Sequence, residues 1–443
     1  MKFCLSFIFC SVVSIAGFNQ DSIAYRIIFI GDATGKGAEE QKILQHAMTN
    51  VVGGKTSVIY SDENSYLRGK VLPGSKRAKD IQQIWQSQYQ PMRTRGANVY
   101  FFPGNHEWNN APAKEMEKFK WLEQYATLQP DSLVKFIYGW HCPEPMTAEL
   151  GDKAIIIFFN SEWWLFPQNN TNPGRECECK TKLDVLARLD EIRVRNRNKL
   201  ILVASHHPFQ SYGISDGKYT AEDHLFPLTS INKNLYVPLP GVGSIYCFFR
   251  SAFSNPNDVK HPLHKDMVKN VDAVFRDFPN LIHIAGHEPG LQLIKSEETQ
   301  VVSGIGAKHL KTKKSKHSLY ANNKPGYTIV DILQNNNVQL TFYTGKDNSV
   351  TQSFTYQQPY ISMTDELASV DTIAAFDSVS VKVHPSYDGK GKFHRFLFGE
   401  NYRKEWAAPT RLPVIRVSNF QGGLVPLTRG GGMQSQSLRL ADN

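Results

Sequence analysis

Short runs of apolar and β-branched residues recur along the chain, and each run ends in a cluster of polar or small residues. Runs of this length and composition predict strands that are buried on both faces of a sheet. Helical patterns separate several of them, at residues 37–51, 113–128 and 182–198, and Pro112 stands where a helix tolerates proline, in its first turn. The apolar runs cover residues 25–30, 56–60, 99–102, 154–159, 200–204 and 281–285.

The pattern changes after the last of these runs. Short apolar segments separated by turn residues follow at 291–295, 300–303, 327–333 and 338–343. Strands that alternate with helices predict an α/β domain, and the later series of short strands predicts a second sheet packed on the first. Beyond residue 346 the chain loses this rhythm, and we treat residues 346–443 as a separate basic C-terminal segment.

The first residues have a different composition from the rest. Lys2 precedes an apolar run at residues 3–18, which small residues and then Asn19 and Asp21 bring to an end. A short positive region, an apolar core and small residues before a polar stretch are typical of a secretory signal peptide, which we place at residues 1–24. An uncleaved membrane anchor is the alternative, although the apolar run is short for a span.

Charge and cysteine content narrow the function classes. The formal net charge is +9 over 443 residues, but the basic residues form no stripe with interleaved aromatics, and we expect no nucleic-acid partner. Export would allow disulfides, yet four cysteines beyond the leader are too few for a disulfide framework. We interpret Cys177 and Cys179 as structural, and whether either is bridged to Cys142 is left open by the sequence.

Candidate ligands for metal ions follow the predicted strands directly. In open α/β sheets, ligands bind beyond the carboxyl ends of the strands, so residues at these positions have the strongest claim to function. Carboxylate, amide and imidazole groups together suit zinc, manganese or iron, and a bridging carboxylate can hold two ions roughly 3.5–4 Å apart. These strand-end residues are Asp32, Asp62, Glu63, Asn64, Tyr66, Asn105, His106, His206, His207 and His287.

The order of these motifs resembles the calcineurin-like metallophosphoesterase superfamily, and within it the purple (tartrate-resistant) acid phosphatase branch. The Gly-Asn-His-Glu at 104–107 and the Gly-His at 286–287 are the most specific parts, and Leu291-Gln292 match the end of the branch's last motif. The resemblance covers residues 25–345 and implies a four-layer α/β/β/α sandwich of two mixed sheets flanked by helices. It also extends to an exported bacterial group, which implies a periplasmic location and leaves association with the outer membrane or cell envelope open.

The resemblance also implies roles for individual residues. Asn105, His206 and His287 would hold one metal ion, and Glu63 would bridge it to a second. Asp32 and Tyr66 would complete the second half of the site. Asn105 and His106 would bind the phosphate ester, and His106 would also serve in catalysis by protonating the leaving group.

The chain departs from the family pattern at several positions. Aligned by Asn64 and Tyr66, the bridging Asp is replaced by Glu63, and Asp62 stands where the pattern has Gly. The final histidine is replaced by Pro289, whose side chain has no ligand atom, and an assisting histidine is replaced by Ser215. We therefore expect a phosphoesterase with one degenerate half-site, and the alternative is a catalytically impaired module that serves binding or envelope assembly.

Overall fold

The computed structural model describes an α/β chain. The structure describes residues 23–31, 33, 37–61, 74–104, 124, 131–137, 142–166, 177–213, 224–230, 235–252, 255–288, 290–304, 315–346, 349–359, 381–383 and 415–417. The predicted signal peptide lies outside them, except that the first strand already begins at Ile23.

Within these residues, 14 strands form one mixed sheet. It consists of two groups of strands, which we call the first arm and the second arm. In the first arm β4, β3, β2 and β1 are parallel neighbours, and β12, β13 and β14 continue the arm in antiparallel pairing from β1. Its strands are β1 (Ile23–Gly31), β2 (Thr56–Ser61), β3 (Asn98–Phe102), β4 (Val134–Phe136), β12 (Gly326–Leu333), β13 (Asn337–Lys346) and β14 (Ser349–Pro359).

The second arm has the same mixed character. Its members β10, β8, β7 and β6 are parallel neighbours, with β5 antiparallel at one edge and β9 and β11 antiparallel at the other. Its strands are β5 (Met146–Leu150), β6 (Ala154–Phe159), β7 (Leu200–Ser205), β8 (Leu281–Ala285), β9 (Gly290–Lys295), β10 (Thr299–Gly304) and β11 (Ser318–Asn322).

The two arms meet where β1 and β10 end. Gly31 pairs in parallel with Gly304, and this is the register position that joins the arms. A Cβ atom at Gly31 would lie 2.2 Å from the Ser303 carbonyl oxygen and 3.1 Å from Gly286 Cα. Only glycine therefore allows β1 to approach the ends of β10 and β8 this closely.

Side chains of β1 alternate between two cores, as the period of a strand requires. Ile28 and Ile30 belong to a buried cluster that includes residues of the helices on the outer face of the first arm. Ile27 and Phe29 belong to a second buried cluster, whose other members come from both arms, among them Leu202 of β7. A strand buried on both faces explains why its sequence is a continuous apolar run.

Helices cover the outer faces of the sheet. Side chains cap the first turns of several of them: Ser75 Oγ accepts from the Ala78 backbone N–H, and Thr181 and Asp184 form a reciprocal capping box. His261 caps the last helix through Nδ1, followed by a proline at the first helical position. The helices are α1 (Ala38–Thr49), α2 (Lys76–Thr94), α3 (Ser161–Leu165), α4 (Lys182–Arg195), α5 (Pro240–Ala252) and α6 (Pro262–Phe275), with a 3-10 turn at Pro227–Ser230.

The structure confirms the α/β class, with 14 of the described strands in one large mixed sheet. The apolar runs of the sequence are strands, with ends within a few residues of those predicted, and the predicted helices at 37–51 and 182–198 correspond to α1 and α4. The predicted helix at 113–128 lies outside the described residues apart from residue 124. The sheet continues past residue 346, because β14 pairs with β13 along its length.

A disulfide joins Cys142 to Cys177, and Cys179 and Cys247 are buried thiols. By compactness the chain divides into a unit ending at Asp365 and a second unit beginning at Glu366, in which Val381–Val383 pairs with Ile415–Val417. Among the described residues, no helix combines the length and apolar character needed to span a membrane.

Candidate functional site

The carboxyl ends of β7 and β8 bring two predicted ligands together. These strands are parallel neighbours, and Ser205 at the end of β7 is in register with Ala285 at the end of β8. His206 follows the first strand directly, and His287 follows the second after one glycine. The sequence thus places both histidines at one edge of the sheet, as the strand-end rule requires.

The two imidazole rings are in direct contact. His206 Nε2 lies 2.9 Å from His287 Nδ1, and the ring planes are nearly perpendicular at 81°. His206 is buried, whereas His287 is partly exposed. Two neutral imidazoles can make this contact as a hydrogen bond if one nitrogen carries the proton, and two metal ligands can make it if both are deprotonated.

The backbone at His287 adopts a left-handed conformation with φ of 65°. This region is unfavourable for a residue with a Cβ atom, and such strain is concentrated at functional sites. Immediately afterwards, the Glu288 backbone N–H donates to the Gly286 carbonyl oxygen at 2.8 Å, which closes a tight turn around the histidine. The turn aims the His287 ring back toward β7.

His207 is the third histidine of the cluster, and one ligand atom from each of the three lies within 4.8 Å of the others. Both of its ring nitrogens are engaged elsewhere: Nδ1 lies 2.9 Å from Ser161 Oγ, and Nε2 lies 3.0 Å from Asn257 Oδ1. Burial lowers the pKa of His207 well below its usual value, with a further contribution from the His287 ring. His207 is therefore a neutral, fixed ring that packs behind His206 and His287.

A buried carboxylate completes the surroundings of His207. Glu162, in α3, places Oε1 3.5 Å from His207 Nε2, and its side chain is only 4% exposed. Ser161 and Glu162 follow β6 directly, so they occupy the same kind of strand-end position as the predicted ligands. We did not predict either residue as part of the site, although the strand-end rule points to both.

Buried glutamines fix the loop that carries His206 and His207. Gln300 Oε1 accepts from the Phe209 backbone N–H at 3.0 Å, and Gln292 Oε1 accepts from the Tyr212 backbone N–H at the same distance. Gln292 also donates to Ser211 Oγ. Since Gln300 lies on β10 and Gln292 on β9, the rigid sheet sets the position of the loop.

The first arm directs its strand ends to the same edge. Gly31, Ser61 and Phe102 are in register across β1, β2 and β3, and Gly31 contacts Gly286 through the close approach described above. The predicted residues that follow these strand ends lie outside the described residues, so their positions are not stated. They are Asp32, Glu63, Tyr66, Asn105 and His106.

The spacing between the ring nitrogens of His206 and His287 fits a shared metal ion. Two imidazole nitrogens bound to one cation at about 2.1 Å stand roughly 3.0 Å apart at a right angle and roughly 3.4 Å apart in a tetrahedron. The distance of 2.9 Å between His206 Nε2 and His287 Nδ1 is close to the first of these spacings. Neutral imidazoles suit zinc, manganese and iron alike, so the pair does not select among them.

Comparison with solved structures found distant matches. GAP50 of Plasmodium, described as the anchor in the inner membrane complex, has a TM-score of 0.46 at 12% identity, covering 76% of this chain and 89% of its own. Purple acid phosphatase PPD1 from yellow lupin has a TM-score of 0.43 at 11% identity over 76% of this chain and 54% of its own. PhoD has a TM-score of 0.43 at 11% identity, covering 76% of this chain and 70% of its own.

These matches do not establish a family. Each TM-score is below 0.5 and each identity is far below 25%, so the likeness assigns neither an activity nor a partner to this chain. A comparison with protein-family models found no match, and a comparison with curated proteins found none either. The function must therefore be argued from the residues themselves.

Proposed function

We propose that this chain is a metal-dependent phosphoesterase of the calcineurin-like type, with a four-layer α/β/β/α fold, that hydrolyses phosphate monoesters. The observation that carries the proposal is the contact of 2.9 Å between His206 and His287 at the carboxyl ends of adjacent parallel strands. Two motifs far apart in sequence, each with a histidine just after a strand, supply the nitrogens of this contact. The carboxyl ends of β1, β2 and β3 lie at the same edge of the sheet, and the other proposed ligands follow these strands in the sequence, which supports the proposal.

In this proposal each residue has a separate task. Asn105, His206 and His287 would hold one divalent or trivalent cation, Asp32 and Tyr66 would hold a second, and Glu63 would serve both. A bound cation supplies Lewis-acid stabilisation of the charge that develops on the phosphoryl group. Asn105 and His106 bind the phosphoryl oxygens, and His106 donates a proton to the leaving alkoxide oxygen. His207 keeps its neutral ring behind the ligands and excludes water from their buried side.

One observation favours a second candidate function. Pro289 stands where the family pattern has the last histidine, so the half-site of Asp32 and Tyr66 lacks a neutral ligand. With weaker stabilisation of developing charge, catalysis would fall steeply, because such stabilisation is usually the largest single contribution to rate. The alternative is a module that keeps the fold and one cation for binding or for assembly in the cell envelope.

Export is part of the same proposal. The leader at residues 1–24 supports secretion, and the disulfide between Cys142 and Cys177 supports an oxidising compartment, since disulfides are rare in the cytosol. We place the protein in the periplasm or at the cell envelope, with a phosphate ester as substrate and no nucleic-acid partner.

Metal content and hydrolysis together test the proposal. The full chain would be reconstituted separately with zinc, manganese and iron, and its bound metal would be measured by mass spectrometry beside its activity on p-nitrophenyl phosphate. We expect bound metal and hydrolysis in the wild type. In His206→Ala combined with His287→Ala we expect hydrolysis to be lost and the metal content to fall by the ion that these two residues hold. His317→Ala is the control, because His317 is exposed and lies outside the cluster.

The outcomes separate the two candidates. Bound metal that depends on His206 and His287, with no hydrolysis of any monoester or diester tested, would favour the binding module. A wild-type chain that retains none of the metals after reconstitution would refute the enzyme proposal. Activity that survives in the double variant would assign the chemistry to other residues.

A further inference from the structure

A second cluster of potential metal ligands lies apart from the histidines of the candidate site. It consists of Asp272 on α6, His283 on β8 and Glu298 in the turn between β9 and β10. None of these residues belongs to the strand-end motifs of the sequence. They come together because α6 packs over the face of β8 from which His283 projects, and because the β9–β10 turn lies beside the start of β10.

The ligand atoms of the cluster are close together and poorly exposed. His283 Nε2 lies 2.6 Å from Glu298 Oε2 and 3.8 Å from Asp272 Oδ1, and one atom from each residue lies within 4.8 Å of the others. The His283 side chain is 3% exposed, while those of Glu298 and Asp272 are 20% and 35% exposed. The imidazole is thus inside the protein, and the carboxylates line a route to solvent.

The environment of the cluster carries excess negative charge. Glu297 adds a third carboxylate beside Asp272. The Lys295 ammonium group donates to Thr299 and Gln358 and also interacts electrostatically with Glu298. Asp272 Oδ1 is buried and has no hydrogen-bond partner among the described residues. The pKa of Asp272 is raised to about 7, mainly by burial; the carboxylates of Glu298 and Glu297 act in the same direction, and His283 opposes them.

We propose that Asp272, His283 and Glu298 form a second cation site, which binds Zn²⁺ or Mn²⁺ independently of the site at His206 and His287. Ligand atoms at about 2.0–2.1 Å from a tetrahedral ion stand roughly 3.3–3.4 Å apart, and the observed distances of 2.6 and 3.8 Å lie on either side of this spacing. Small rotations of the carboxylates would equalise them. One imidazole and two carboxylates leave the fourth position open toward the solvent-exposed side of Asp272.

The ion would also fix a segment that the candidate site depends on. The Phe209 ring lies against His283, with ring centroids 4.4 Å apart, and Phe209 follows His206 by only three residues. A cation on His283 Nε2 would hold the imidazole ring in one orientation and so preserve this contact. The second site therefore has a structural role in the proposal, without a part in any chemical step.

The test measures cation binding where the first site has been removed. In the full chain with His206→Ala and His287→Ala, Zn²⁺ and Mn²⁺ would be titrated in competition with a chromophoric chelator. We expect about one residual ion, and we expect Asp272→Asn or Glu298→Gln to weaken it by more than the roughly 10–100-fold that changes outside the ligand set cost. Glu297→Gln is the matched control and should change the affinity by no more than about threefold.

A spectroscopic measurement protects the test against misfolding. Co²⁺ bound to the double-histidine variant should give visible absorption bands of a nitrogen and oxygen ligand set, and Glu298→Gln should remove them while circular dichroism stays unchanged. Binding that is absent in the double-histidine variant, or binding that neither Asp272→Asn nor Glu298→Gln alters, would overturn the proposal. The cluster would then be a buried histidine held between carboxylates. Because the residues differ, failure here leaves the proposed phosphoesterase function unaffected.

Discussion

His206 and His207 are neighbours in the sequence, but their surroundings give them different tasks. His207 uses both ring nitrogens on Ser161 and Asn257, whereas His206 Nε2 contacts His287. The strand-end rule predicted the position of both residues, and the resemblance singled out His206 as the ligand. No rule on a single sequence could identify Asn257, because its contact with His207 depends on how two distant loops pack.

At the residue scale, His264 is expected to make stability fall in mild acid. Burial lowers its pKa to about 4, and a nearby His261 adds to this effect. Because the unfolded chain binds the proton near pH 6.5 and the folded chain does not, stability declines as the pH falls from 6.5 toward 4. The loss amounts to about 2 kcal/mol at pH 5.

Urea unfolding at pH 7.5 and pH 5 would measure this loss. His264→Leu keeps a buried side chain of similar size without the titrating group, so its pH dependence should be smaller by about 2 kcal/mol. Equal pH dependence in the variant and the wild type would contradict the assignment. His207 titrates in the same direction in both proteins. Most of its contribution cancels, because burial and not the His264 ring is the main cause of its lowered pKa.

At the scale of elements, the strands were the most predictable part of the fold. β1, β2, β7 and β8 are buried on both faces and therefore appear in the sequence as continuous apolar runs. The edge strand β14 alternates between exposed and intermediate positions, which explains why its sequence looked polar and only partly strand-like.

The helix α2 is absent from the prediction although its sequence carries a helical pattern. It contains Pro91 and few apolar residues, but the buried ones recur at helical spacing. They are Ala78, Ile81, Trp85, Tyr89 and Met92. This face packs on the sheet, where the Trp85 ring stacks on Phe101 of β3 with centroids 4.8 Å apart. Packing of an amphipathic face supplies most of the stability of such a helix.

The pairing of β1 with β12 should depend on a buried ion pair. Arg26 Nε and Nη2 donate to the two oxygens of Asp331 at 2.6 and 2.8 Å, and Nη1 donates to the Asn50 carbonyl oxygen. Asp331→Leu would leave the guanidinium buried without its partner and should lower the free energy of unfolding by about 3–5 kcal/mol. Chemical denaturation would measure the change.

A double variant distinguishes lost pairing from lost packing. Arg26→Met combined with Asp331→Leu removes both charges and should recover most of the stability. As a control, Glu191→Gln breaks exposed ion pairs with Arg188 and Arg195 and should cost less than about 1 kcal/mol. A double variant as unstable as Asp331→Leu alone would show that the charge is not the cause.

The junction of the two arms makes a second prediction at this scale. Gly31→Ala would place a methyl group 2.2 Å from the backbone oxygen of Ser303, which cannot move without separating β1 from β10. We expect destabilisation of about 3 kcal/mol, at the upper end of overpacking costs. Gly241→Ala, where a Cβ meets nothing within 4 Å, should be neutral in the same denaturation assay. Equal stability of the two variants would refute the argument.

At the scale of the whole molecule, the disulfide acts on the unfolded chain. Cys142 and Cys177 are separated by 35 residues, and a loop of this length contributes about 4 kcal/mol by chain entropy. Replacing both cysteines by serine should lower the free energy of unfolding by that order, measured in urea. Cys247→Ser serves as the control for a change of one buried thiol. Unchanged stability of the double serine variant would mean that the unfolded chain is already compact without the bridge.

The left-handed backbone at His287 sets stability against ligand binding. Glycine adopts φ of 65° without strain, so His287→Gly should be more stable than His287→Ala by about 1 kcal/mol. Selection for stability alone would therefore favour glycine at this position. A histidine here keeps the backbone strained but directs an imidazole ring toward β7. A glycine chosen to make the protein more stable would relieve the strain and remove the ligand.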